Sequence, residues 1–381
     1  MVKGLDTQGE ILLQRLLSRF SEQYTTKEDL TLLQLVFSPS PTQQMLDNAL
    51  RICDIEALGA GKSILLSYLM HGNPTLYFPD DVTPRLKGLI LNARFANMKT
   101  LSHFSRIGRA YNTAGIPILL IKGGAFKVLR PTLSRPMGDV DVLIPKKRFA
   151  EAIKIGEKLG YLHDREDSLH AVDFHTETES AVDVHHSLFD PGKPLDVLHE
   201  NLWERATPHR AFGVDFLLPC HEDHFFLVLA NFTKNLREQT SLGNLYYALC
   251  DTTFLYSSKV DFDWGIVWDD AVASGREIEI RFAAEFMNKI VPGIIPNMET
   301  NFPITRGMQD FCTQVIFDED FYLRRQRDCQ SIRVVDLKNH PQRYGKQIIK
   351  FILLKKLRRI PAFVRWYLQV QLAKEVNDAH R

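Results

Sequence analysis

Residues 134 to 144 read "SRPMGDVDVLI", and two aspartates, Asp139 and Asp141, stand one residue apart within a run that is otherwise largely apolar. A strand turns successive side chains to opposite faces, so Asp139 and Asp141 share one face and Val140, Val142 and Ile144 share the other. Two carboxylates at that spacing repel, and each raises the other's pKa unless a cation lies between them. A solvated acidic face on an edge strand is the plainest account of such a pair taken alone. Its neighbours argue for more. "GIPILLIKGG" is a short apolar run closed by Gly123 and Gly124, as a buried strand would be. "AFKVLRP" makes a short helical turn stopped by Pro131, and Pro145 ends the strand that carries the aspartates. Then "KKRFAEAIKIGEKLGY" places Phe149, Ala152, Ile153, Gly156 and Leu159 on one helical face, and two strand-like pieces follow, "HAVDFHTE" and "SAVDVHHSLF". Helix alternating with strand predicts a small α/β core with a mixed sheet over residues 96–205.

The flanks read differently. "GEILLQRLLSRF", "DLTLLQLVF" and "TQQMLDNALRICDIEAL" repeat apolar residues at helical spacing, giving a helical N-terminal region over 1–95. From Leu217 onward the pattern is helical again, which predicts a helical C-terminal domain over 206–335 and a basic helical tail over 336–381. A chain of 381 residues is long for one core, so two or three packed units are expected. "GAGKS", Gly59 to Ser63, resembles the end of a phosphate-binding loop. That motif needs a glycine where Glu56 stands and a strand before it, so a helix C-cap turn fits better.

A net charge of +1 argues against a protein that coats nucleic acid with its whole surface and leaves room for a local basic patch. The five cysteines are odd in number, scattered and without a C-x-x-C pair, which suits reduced thiols. The first residues lack the apolar core of a signal peptide, and no stretch reaches the roughly 18 apolar residues of a membrane span. The expected setting is cytoplasmic and soluble, with no transmembrane segment. "CHEDH", Cys220 to His224, suggests zinc, but its histidines are three apart where the helical signature needs four, and satisfied or exposed histidines fit better. Lys234 and Arg237 read as a solvated helix face rather than phosphate contacts.

The order strand, Gly123-Gly124, short helix, Asp139-x-Asp141, and a later acid at Asp183 resembles the nucleotidyltransferase fold of the DNA polymerase β superfamily. Within it, "LLIKGGAF", "SRPMGDVDVLI", "AVDVHHSL" and "LYYALCDTTFLYSSKVDFDWGIVWDDAVASG" resemble the uncharacterised nucleotidyltransferase family of bacterial biosynthetic clusters, over roughly residues 50 to 290. The resemblance implies an α/β core with a small mixed sheet flanked by helical regions. It also implies Mg²⁺- or Mn²⁺-dependent transfer of a nucleoside monophosphate, AMP from ATP, to an acceptor with release of pyrophosphate. Asp139, Asp141 and Asp183 would hold the metals, since two ions about 4 Å apart need several converging carboxylates. Gly123 and Gly124 would let a triphosphate approach the backbone, Arg135 would fork a phosphate, and Lys122 would act as a point charge. His185 shares a face with Asp183 and would orient it or serve as a base. Asp173, in the same Asp-x-His setting, rivals Asp183, but the apolar run around Asp183 is the stronger strand.

The acceptor is not legible; a small molecule or peptide is favoured. Two other readings stand beside this one: a tRNA- or RNA-modifying nucleotidyltransferase, and a non-catalytic nucleotide-binding module. "YGKQIIKFILLKKLRRIPAFVRWYLQ" carries basic residues and no acid, with Ile349, Leu353, Leu357 and Ile360 at helical spacing. A packed helix with a solvated basic face is the default, with RNA, a peptide leader or peripheral contact with an anionic membrane as the alternatives.

Overall fold

The alternation in the middle of the chain resolves into one mixed six-stranded sheet in a computed structural model, which describes residues 26–53, 60–72, 75–132, 135–163, 171–177, 180–188, 196–237, 243–257 and 261–297. The strands are β1 (Leu119–Leu120), β2 (Val140–Leu143), β3 (Ala171–His175), β4 (Ser180–His185), β5 (Thr207–Ala211) and β6 (Val214–Leu218), in the order β3-β4-β2-β1-β6-β5. β2 runs parallel to β4 and β1 to β6, while β1/β2, β3/β4 and β5/β6 are antiparallel. Around the sheet lie helices α1 (Lys27–Val36), α2 (Gln43–Ile52), α3 (Ala60–Gly72), α4 (Thr83–Thr113), α5 (Lys122–Leu129), α6 (Phe149–Lys158), α7 (Asp196–Arg205), α8 (His221–Arg237), α9 (Gly243–Ser257), α10 (Trp264–Ala273) and α11 (Glu277–Ile290).

Hydrophobic burial sets the register at the centre. Val140 pairs with Val182 and Val142 with Val184, and all four are buried against Phe104, Ile107 and Tyr111 of α4 and Ala152 of α6. Burying side chains of this size is worth about 1.5–3 kcal/mol each. A slip of one residue would exchange valines for carboxylates on the core face, so the pairing is strongly specified. The intervening residues then align as well: Asp141 faces Asp183 across β2/β4, and Asp183 faces Asp173 across β4/β3. Three aspartates thus form a row across three strands.

Several elements differ from the sequence reading. Gly123 and Gly124 do not close β1; they lie in the first turn of α5, which starts at Lys122. Ala60 to Ser63 of "GAGKS" lie in the first turn of α3, and Lys62 pairs with Glu28 and Asp29 at 2.7 and 3.4 Å. Residues 207–218, assigned from the sequence to the helical C-terminal domain, form the β5/β6 hairpin of the sheet. Its two-residue turn, Phe212-Gly213, has φ of 56° and 72°, the twist that matches right-handed strands. Helix α4 runs unbroken for 31 residues across positions 95 and 96 and packs on both β4 and β6. The described residues all fall in one compact unit spanning Met1–Gln309, and the basic tail lies outside them. Among the described residues no helix is long and apolar enough to cross a membrane.

Gly156 shows how tightly α6 rests on the sheet. A Cβ there would lie 2.2 Å from Cζ of Phe174, a β3 ring with no exposed surface. Gly156→Ala gains about 1 kcal/mol of helix propensity but forces a shift in a closed core, which typically costs about 1–3 kcal/mol. The expected net result is destabilisation, read as a lower urea midpoint. Gly88→Ala in α4, where nothing lies within 4 Å of the new methyl, is expected to raise it.

Candidate active site

Asp141 lies at the centre of a short polar network inside the sheet. Its neighbours on β2 are apolar and buried, and its own residue exposure is 7%. Lys122 reaches it from the start of α5, with Nζ 2.5 Å from Asp141 Oδ1. To do so Lys122 adopts a left-handed backbone, φ 50°, a conformation disfavoured for a side chain of this kind and held here by its surroundings. The chain is pinned at the same point by Ile121, whose amide donates to the Asp141 carbonyl at 3.1 Å. From β4, His185 Nε2 lies 3.0 Å from Asp141 Oδ1 and 3.0 Å from Asp183 Oδ2. Ionised carboxylates only accept, so the Nε2–H is the donor that the two acids share.

These contacts drive the charges apart. Burial alone would raise the Asp141 pKa, but the Lys122 ammonium and the His185 hydrogen bond outweigh it and hold the carboxyl well below the usual range. Burial opposes the charge on His185, and its bonds to Asp141 and Asp183 more than offset this, so its pKa rises. Asp139 goes the other way. Burial first, then the charge of Asp141, pushes it up to about 7, with Lys122 only partly countering. Two acids one residue apart are thus set to different protonation behaviour by their surroundings.

The ligand atoms of Asp141, Asp183 and His185 lie within 4.8 Å of one another, the one such group of three among the described residues. The carboxylates of Asp141 and Asp183 on a rigid pair of strands are hard oxygen donors that fit a divalent cation, and the His185 ring holds them together through its Nε2–H. Asp139 stands outside that group, as does Asp173, which is exposed near the edge of the sheet.

The expected phosphate contacts are placed less simply. Gly123 and Gly124 are buried, and the space beside each is filled by the protein itself. A Cβ at Gly123 would lie 2.7 Å from Nη1 of Arg135, and one at Gly124 would lie 2.8 Å from Leu120 Cδ1. A side chain at either position would therefore force Arg135 or Leu120 to shift. Arg135 is engaged by Asp251 of α9, at 3.0 Å from Nε and 3.0 Å from Nη2. Asp251 went unnoticed in the sequence, although a lone acid in "LYYALCDTTFLY" was a signal. Asn97 of α4 was also missed. It donates to the Arg135 carbonyl at 2.7 Å and accepts from the Met137 amide at 3.0 Å.

"CHEDH", Cys220 to His224, joins no metal-capable group among the described residues. His224 is fully buried beside Phe126, and burial, then the charge of Arg135, lowers its pKa to about 3, so the ring is neutral. Lys234 is exposed on α8, and nothing is described for the side chain of Arg237. Asp223 has a structural partner: Arg205 of α7 contacts it at 2.5 Å and also reaches Asp270 of α10 at 2.7 Å.

A profile of the uncharacterised nucleotidyltransferase family matches residues 63–292, more than half of the chain and a span that contains every residue of this site. The chain belongs to the uncharacterised nucleotidyltransferase family, and its enzyme class is nucleotidyltransferase. No curated protein matches it at a significant level. Among solved structures, the solution structure of antibiotic-resistance factor ANT(2'')-Ia, reported with substrate-regulated conformation dynamics, is 16% identical. It covers 45% of this chain and 89% of its own, with a TM-score of 0.34.

The Arg205 cluster yields a pH dependence separate from the site. Burial, then the neighbouring Asp223, raises the Asp270 pKa to about 7. Unfolded aspartate titrates near about 3.9, so the folded protein binds more protons across the interval between, and this contribution to stability falls as pH rises through it. Asp270→Asn is expected to flatten that slope and to exceed the wild type in stability above about pH 7, as read by urea unfolding across a pH series.

Proposed function

We propose that the protein transfers a nucleoside monophosphate, AMP from ATP, to an acceptor and releases pyrophosphate, with Mg²⁺ or Mn²⁺ required. The observation that carries this reading is the meeting of Asp141, Asp183 and His185 on two parallel strands beside Lys122. Asp141 and Asp183 would hold the cation, with Asp139 at the margin of the same face. When bound, the cation supplies charge neutralisation on the phosphates and on the attacking and leaving oxygens.

The chain's own groups do the rest. His185 fixes the separation of Asp141 and Asp183 by donating one ring N–H to both. Lys122 brings a positive charge to the edge of the cluster, and the Asp141 carboxylate keeps it protonated against the effect of burial. The first amides of α5 lack acceptors within the helix and present donors suited to phosphate oxygens. Catalysis of this kind consists largely of positioning and fixed charge. The acceptor, a small molecule or peptide, supplies a hydroxyl, amine or phosphate that attacks the α-phosphorus.

Manganese binding read by electron paramagnetic resonance, together with ATP calorimetry, tests the assignment without knowledge of the acceptor. Asp141→Asn and Asp183→Asn are each expected to weaken metal-dependent ATP binding by at least about a hundredfold, the scale of losing one preorganised electrostatic partner. Asp173→Asn should cost less than about tenfold, because that side chain lies outside the cluster. Equal ATP affinity with metal and with EDTA would overturn the reading.

A further inference from the structure

Arg135 lies against Gly123 in the first turn of α5, beside Lys122 of the candidate site, yet its charge is already used. Its Nε lies 3.0 and 3.1 Å from the two oxygens of Asp251, and Nη2 lies 3.0 Å from Oδ2, so both carboxylate oxygens are engaged. Tyr247, one turn earlier on α9, sets its ring 4.6 Å from the guanidinium carbon, and Phe126 of α5 sets its own at 5.9 Å. The remaining nitrogen, Nη1, fills the space that a side chain at residue 123 would take. The backbone of the same residue is gripped separately by Asn97, which bonds on both sides of Pro136. Two residues after Met137 the chain reaches Asp139.

We infer that Arg135 is a positioning residue rather than a phosphate ligand: tethered by Asp251 and Tyr247 of α9, it supports the first turn of α5 at Gly123 and fixes the backbone leading to Asp139. A guanidinium with its fork satisfied by a buried carboxylate is a poor phosphate clamp, because turning to phosphate would leave Asp251 buried and unpaired. As a fixed strut it does something else. It lies against Gly123, so the position of the Lys122 backbone and of the α5 amides depends on a contact made with α9, 116 residues further along the chain. Small displacements of such a turn carry large effects on binding and rate. This inference rests on the nucleotidyltransferase reading above.

The test is ATP affinity in the presence of Mn²⁺, measured by calorimetry on Arg135→Gln, Asp251→Asn and the double variant, each checked for folding by circular dichroism. Both single variants are expected to weaken ATP binding at least about tenfold, and the double variant to be no weaker than the worse single one, because the two residues act as one unit. If Asp251→Asn does not fold, Tyr247→Leu, which loosens the guanidinium while keeping the ion pair, carries the same expectation of weaker binding. If Asp251→Asn binds ATP as tightly as the wild type while Arg135→Gln does not, Arg135 holds phosphate directly and the inference falls. It falls equally if all folded variants bind ATP normally and differ only in melting temperature, because the pair is then structural alone. A wild-type protein that binds no ATP with Mn²⁺ present would overturn the nucleotidyltransferase reading and this inference together, an outcome distinct from the other two.

Discussion

The parallel pairing of β2 with β4 is the constraint on which the site depends. Burial of Val140, Val142, Val182 and Val184 on one face fixes the register, and that register leaves Asp141 opposite Asp183 on the other. Apolar packing thus does the work of bringing like charges together, against their repulsion. The repulsion is then relieved locally by the Lys122 ammonium and by a His185 proton shared between the two acids. Removing one buried partner from such a network costs more than the same contact would at the surface, because the remaining charge cannot be hydrated.

Around this centre the protein commits three layers of support. β4 supplies Asp183 and His185, α5 supplies Lys122, and the loop before β2 is held by α4 through Asn97 and by α9 through Asp251. The helices of the C-terminal half therefore do more than flank the core. Helix α9 packs on α3 and α8 and also holds Arg135 of the loop before β2 through Asp251. The family match, which runs from α3 to just beyond α11, covers the same set of elements.

Much of the core was legible because its information is local. Alternation in "GDVDVLI" and "AVDVHH" gave the strands, whereas the glycine pair, expected to close a strand, opens α5 with Arg135 and Leu120 crowded against it. What escaped was set by distance or by unusual local chemistry. The β5/β6 hairpin turns on Phe212-Gly213, and a phenylalanine at positive φ does not announce a turn as Asn-Gly would. The alignment of Asp173, Asp183 and Asp141 depends on which strands pair and in what direction, which no single segment encodes. Arg135 looked free to bind phosphate because its partner stands 116 residues away. Spacing identifies residues fit for a task without showing which are already occupied by the fold.

Lys122 carries two opposed demands at one position. Its backbone angle is one that glycine adopts at little cost, and replacing its side chain would relax the turn. The same replacement would leave Asp141 and Asp183 with the imidazole of His185 as the remaining neighbour of their shared network. Local backbone comfort and charge balance cannot both be satisfied by one residue there. Position 122 is therefore a place where backbone geometry and charge balance point to different amino acids, and the chain carries the one that keeps the charge.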